Sequence, residues 1–74
     1  MENNVSLENV AREIAGLYGA EVLFFERASG TLSVYCHSQK LVGGVEVNGN
    51  LVNLHIALRG KRCVVGTPLV FDGF

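Results

Sequence analysis

The chain predicts an α+β domain, with one N-terminal helix packed on one face of a mostly antiparallel sheet of about five strands. Three observations carry that expectation. Apolar residues recur with a helical period over residues 7–18 and then switch to strand-like patterning that lasts to the end. Short turn signals, Ser29-Gly30, Asn48-Gly49 and Gly60-Lys61, divide the second part at hairpin spacing. The 74 residues are 49% hydrophobic and 18% charged with nine Gly and one Pro, which suits one small domain and excludes disordered and low-complexity classes. The expected domain is residues 1–74, with 1–5 as a flexible N-terminus.

Ser6 is a good N-cap, and Leu7, Val10, Ala11, Ile14, Ala15 and Tyr18 form one stripe of a 3.6-residue period. Glu8 and Glu13 lie towards the N-terminal side, and Gly19 suits the left-handed conformation that closes a helix. About three turns with one buried face are expected. Gly16 sits mid-helix, where it costs about 1 kcal/mol relative to Ala. It implies either close backbone packing or a tolerated weak spot.

Residues 20–27 are rich in β-formers, and residues 31–37 alternate Leu32, Val34 and Cys36 against Thr31, Ser33, Tyr35 and His37. With Ser29-Gly30 between them they read as a hairpin. Gly43-Gly44 marks a bulge or bend. Asn48-Gly49 is the strongest two-residue hairpin signal, because a type I′ turn needs positive φ at both central residues. It joins residues 45–47 to a strand over 51–59, along which Val52, Leu54, Ile56 and Leu58 oppose Asn53, His55, Ala57 and Arg59. Gly60-Lys61 fits a type II′ turn, from which residues 62–65 return. Gly66-Thr67-Pro68 breaks that strand or leaves it as an edge, and Leu69 to Phe71 is expected to be extended.

If the apolar set faces the helix, the other face displays Ser33, Tyr35, His37, Asn53, His55, Arg59 and Arg62, with Phe24 and Val64 among them. These are the candidate binding residues. Their face is polar and aromatic, and a second copy stacked on it or paired at an edge would cover an otherwise exposed sheet. At this length roughly 60 to 65% of the unfolded chain's surface can be buried, so the core is marginal and a homodimer is the expected state.

Other chemistries find less support. The net charge of −1 divides into −4 over residues 1–26 and +3 over residues 27–74, yet the only local basic cluster is Arg59, Lys61 and Arg62 at a tight turn. The alternative function is therefore a weak nucleic-acid-binding module using those three cations, with Tyr35 and Phe24 as stacking groups. Adjacent Cys36 and His37 point to opposite faces of a strand, and neither Cys36 nor Cys63 has paired-ligand spacing, so no metal or other cofactor is expected. Both cysteines are placed inward, as free thiols in preference to a Cys36–Cys63 bridge, which would need their strands to be neighbours. No nucleophile, base and orienting group share a motif, and no glycine run precedes a helix as a phosphate loop does. The chain reads as no enzyme. Apolar runs fall far short of the roughly 20 residues that span a bilayer, and no basic-then-apolar leader opens the chain, so the expected location is cytoplasmic.

The segment Val52-Asn53-Leu54-His55-Ile56-Ala57-Leu58-Arg59, preceded by Asn48-Gly49-Asn50 and followed by Gly66-Thr67-Pro68-Leu69-Val70, resembles the YwmB family of Firmicutes. Leu17-Tyr18-Gly19-Ala20-Glu21-Val22 and Leu32-Ser33-Val34-Tyr35-Cys36-His37-Ser38 extend the similarity over about residues 7–71. The part resembled is the family's C-terminal subdomain. Family members are about three times longer, are often exported, are likened in shape to the TATA-box-binding protein, and have no established activity. The resemblance implies that a second copy stands in for the family's first subdomain. Any link to DNA is an analogy of fold alone.

Overall fold

The computed structural model describes residues 6–69. Helix α1 (Leu7–Leu17) begins at Ser6, whose hydroxyl oxygen accepts from the Asn9 backbone N–H at 3.1 Å. At the other end Tyr18 is the C-cap and Gly19 takes φ +64°, the left-handed closure its position predicts. The Tyr18 carbonyl accepts from the Ser38 hydroxyl at 2.7 Å, which pins the helix end to the sheet. Tyr18 is expected in the apolar stripe but is 38% exposed, because the chain has left the helix there.

Six strands follow: β1 (Ala20–Ala28), β2 (Thr31–Ser38), β3 (Val45–Val47), β4 (Asn50–Val52), β5 (Leu54–Arg59) and β6 (Arg62–Gly66). A four-stranded antiparallel sheet has the order β1-β2-β5-β6, and β3-β4 is a separate hairpin inserted between β2 and β5. This α+β arrangement is the one expected, with two corrections of detail. There are six strands, and residues 51–59 do not form one strand. The ladder is interrupted at Asn53, so β4 pairs with β3 while β5 joins the main sheet between β2 and β6. The Asn48-Gly49 turn, predicted as type I′, has positive φ at both central residues, 51° and 79°, and the Ser29-Gly30 turn shares that pattern at 52° and 77°.

The core lies between α1 and one sheet face. Ala11 and Ala15, fully buried and small, let the helix approach Leu32, Val34, Cys36, Leu54, Ile56 and Leu58, with Leu7, Val10, Ile14, Val22, Phe25 and Val65 around them. Each fully buried Leu or Ile side chain contributes roughly 1.5–3 kcal/mol. The contact is reinforced at its rim by the Glu8–Arg27 ion pair and by the Arg12 guanidinium lying 5.2 Å above the Phe25 ring centre. Gly16 answers the question its position raises: a Cβ there would meet nothing within 4 Å, so no close packing requires the glycine.

The helix contacts β1, β2 and β5. That reach decides the fate of the two cysteines. Cys36, in a central strand, is fully buried under the helix. Cys63 is opposite Leu58 on the edge strand, beyond the helix, and is exposed rather than inward. Both are free thiols, as expected. Of the expected final strand only Leu69 lies within the described residues. No helix among them is long and apolar enough to cross a membrane.

Candidate functional site: the open face of the sheet

Strand alternation sends every second residue of the main sheet away from α1, and the register arranges these residues in rows across the strands. One row is Phe24, Tyr35, His55 and Gly66; the next is Glu26, Ser33, Ala57 and Val64. Ala28 opposite Thr31 and Arg59 opposite Arg62 close the face at the hairpin end, and Glu21 opposite His37 lies at the other. Counted from the β1–β2 turn Phe24 faces outwards beside Tyr35, and a bulge between Val22 and Phe24 then resets the alternation of β1. The bulge is what returns Val22 to the helix side, opposite Cys36.

The centre of the face is a stack of three rings. Phe24 and Tyr35 have centroids 4.6 Å apart with planes at 20°, and Tyr35 and His55 are 4.5 Å apart at 11°. Cross-strand aromatic pairs of this kind contribute about 0.5–1.5 kcal/mol beyond their buried area. The Tyr35 hydroxyl donates to Glu26 Oε1 at 3.1 Å. Burial pushes the Tyr35 hydroxyl pKa up, and the hydrogen bond and charge of Glu26 push it further in the same direction, against a smaller opposing hydrogen bond from Ser33. Burial pushes the His55 imidazole down, with the Glu26 charge pulling weakly the other way. At neutral pH the stack is therefore a neutral phenol on a neutral imidazole.

Six of the seven candidate residues share this outward direction. Ser33, Tyr35 and His37 are half-buried on β2, Arg59 and Arg62 are exposed at the β5–β6 turn, and His55 is 7% exposed within the stack. Asn53 does not belong with them. It is 1% exposed, its Oδ1 accepts from the Ser38 N–H at 2.8 Å, and its Nδ2 donates to the Ser38 and Leu41 carbonyls at 2.8 and 3.1 Å. Asn53 is a staple that holds the chain after β2 against the start of β5. The strand breaks at that residue, whose backbone N–H still donates to the Cys36 carbonyl at 3.1 Å while its side chain turns inward to the backbone after β2, which alternation cannot foresee.

Glu26 is the contributor that a reading of β2 and β5 misses. Its signal lies in the turn: a two-residue loop at Ser29-Gly30 pairs Ala28 with Thr31, and counting outwards sets Glu26 beside Ser33 and Phe24 beside Tyr35. The partnership of His55 with Tyr35 is a long-range pairing that no local count supplies.

The face offers little for covalent chemistry. Cys36 is on the opposite side of the sheet, and burial pushes its thiol up to about 11, where it is protonated and inert at neutral pH. No group of three His, Cys, Asp or Glu among the described residues is placed to hold a metal ion. Because Tyr35 lies between two rings, neither of its own ring faces is presented outwards, and a base could not stack flat on it. A shallow depression of about 290 Å³ lies elsewhere, beside the β1–β2 turn against Leu7 and Arg27. Its cation is already tied to Glu8.

Comparison with protein-family models, with curated proteins and with solved structures returned no match. The YwmB resemblance thus rests on the sequence segments themselves.

Proposed function

We propose that the chain is a non-enzymatic interaction module that associates with a second copy through the open face of its main sheet. One observation carries this reading. Among the described residues the helix packs on one side of the sheet, and the opposite side carries the half-buried Phe24 and Tyr35 stacked with the buried His55, between an acidic strand and a basic hairpin. A sheet face with aromatic residues at its centre and charges at its margin has the anatomy of a protein interface.

Ser33 lies beside the stack, half-buried and one strand from Glu26. Ser33→Arg would set a long, charged side chain in the middle of a closed interface without touching the helix side, its bulk obstructing the contact even where the guanidinium pairs with Glu26 on the neighbouring strand. Size-exclusion chromatography with light scattering is expected to give a dimer for the wild type and a monomer for Ser33→Arg, both with unchanged circular dichroism. An equally dimeric, folded Ser33→Arg would remove the open face as the site of association.

A further inference from the structure

Asn48 and Gly49 form the exposed tip of the β3–β4 hairpin, away from the open face of the main sheet. An asparagine carboxamide carbon can close a five-membered ring with the backbone nitrogen of the next residue. A Cβ on that next residue crowds the approach, and glycine has none. Space around Gly49 is open, since a Cβ built there would meet nothing within 4 Å. Neither the Gly49 N–H nor the Asn48 side-chain amide is held by a hydrogen bond from the described residues. The hairpin has three residues a side and forms a sheet of its own, and two-stranded ribbons of that size open locally. Opening releases Asn48 from its φ of 51° and lets the carboxamide swing towards the Gly49 nitrogen.

The other asparagines among the described residues are worse placed. Asn9 is held in α1 and precedes Val10, Asn50 precedes Leu51 and donates its Nδ2 to the Asn48 carbonyl, and Asn53 precedes Leu54 and is locked by three hydrogen bonds. We infer that Asn48 is a site of spontaneous modification, converted through a succinimide to aspartate and isoaspartate. The Gly49 nitrogen, its proton lost to solvent base, attacks Asn48 Cγ; the Cγ–Nδ2 bond breaks and the nitrogen leaves as ammonia. Water then opens the ring. Attack at Cγ gives aspartate, which a type I′ turn accepts. Attack at the main-chain carbonyl gives isoaspartate, whose backbone runs through Cβ and Cγ and is one atom longer. That extra atom cannot be fitted into a two-residue loop that pairs Val47 with Asn50, so this product unlocks β3–β4. The core between α1 and the main sheet does not depend on that loop.

Peptide mapping by mass spectrometry, after timed incubation of the folded wild-type chain in warm, mildly alkaline buffer, tests the site. Asn48 is expected to exchange its side-chain NH2 for OH about tenfold or more faster than Asn9, Asn50 or Asn53, the effect of a barrier lower by about 1.4 kcal/mol. Isoaspartyl methyltransferase is expected to label the peptide that holds it. Hydrogen exchange at Val47 and Asn50 is expected to rise on the order of tenfold in the isoaspartyl fraction while β2 and β5 stay protected. Asn48→Asp carries the new charge on an unlengthened backbone and is expected to keep the hairpin protected. An Asn48 that converts no faster than the other three asparagines would overturn the site. An Asn48→Asp chain that loses protection as fully as the isoaspartyl fraction would overturn the backbone account of the unlocking.

Discussion

Asn53→Ala is the most telling perturbation of the fold. The amide satisfies one buried donor, the Ser38 N–H, and two acceptors, the Ser38 and Leu41 carbonyls. Truncation strands the Ser38 N–H and the Leu41 carbonyl in a site that is 1% exposed, while the Ser38 carbonyl keeps its bond from the Leu41 N–H at 3.2 Å. At roughly 1–3 kcal/mol for each of the two stranded groups, with some relief from water entry, the cost is about 2–4 kcal/mol. A domain of this size has on the order of 4–11 kcal/mol of stability in total. The urea midpoint, read at fixed protein concentration so that association does not move it, is expected to fall by about 1.5–4 M if m is about 1–1.5 kcal/mol/M. Asn53→Asp sharpens the test. Its carboxylate can still accept from Ser38 N–H but faces two carbonyls where the wild type donates, so its folded pKa lies above the unfolded value near 4. The protonated folded form is the favoured one, so this variant gains stability as pH falls towards and below 4 relative to wild type. An Asn53→Ala protein within about 1 kcal/mol of wild type, or an Asn53→Asp protein whose deficit does not shrink in acid, would refute the staple.

Further expectations follow from individual side chains. Gly16→Ala should stabilise the protein by about 0.5–1 kcal/mol, because the site is exposed, helical and open to a Cβ, and an unchanged or lower urea midpoint would contradict that. Native-state labelling with a thiol reagent should modify Cys63, at a rate held down by the raised pKa that partial burial gives its thiol, and leave Cys36 protected until unfolding, and equal labelling of both would show that the core under α1 is open. His55 is held below its ordinary pKa, so the unfolded chain binds its proton first and stability should drop as pH falls below about 6.5. His55→Gln should flatten that drop in urea midpoints measured between about pH 7.5 and pH 5, and an identical slope would assign the effect elsewhere. Tyr35 is held above its ordinary value, so its stabilising contribution is present below about pH 10 and lost above it, and Glu26→Gln should move the phenolate absorbance midpoint back towards 10.

Much of this architecture is legible from local rules. The stripe from Leu7 to Ala15 and the Ser6 cap define α1, and the turn dipeptides fix three hairpins because positive φ is demanded where Gly, Asn or Ser stands. What the alternation of β2 and β5 shows is which side each residue faces, and Tyr35, His55, Arg59 and Arg62 follow it. Three features escape. Asn53 departs because its amide finds three buried backbone partners at Ser38 and Leu41. Cys63 departs because α1 packs mainly over β1, β2 and β5 and leaves the hairpin end of β6 exposed, a matter of lateral coverage that a one-dimensional pattern does not contain. The stack of His55 on Tyr35 depends on β5 joining β2 across the inserted β3–β4 hairpin, and that pairing follows from packing rather than from any turn.

Self-association is tested most directly by the solution mass of the wild-type chain as a function of concentration. Sedimentation equilibrium is expected to show a mass rising from the monomer's 8.0 kDa towards twice that value across the micromolar range. A mass fixed at 8.0 kDa throughout that range would contradict it, leaving the open face to solvent or to a different protein.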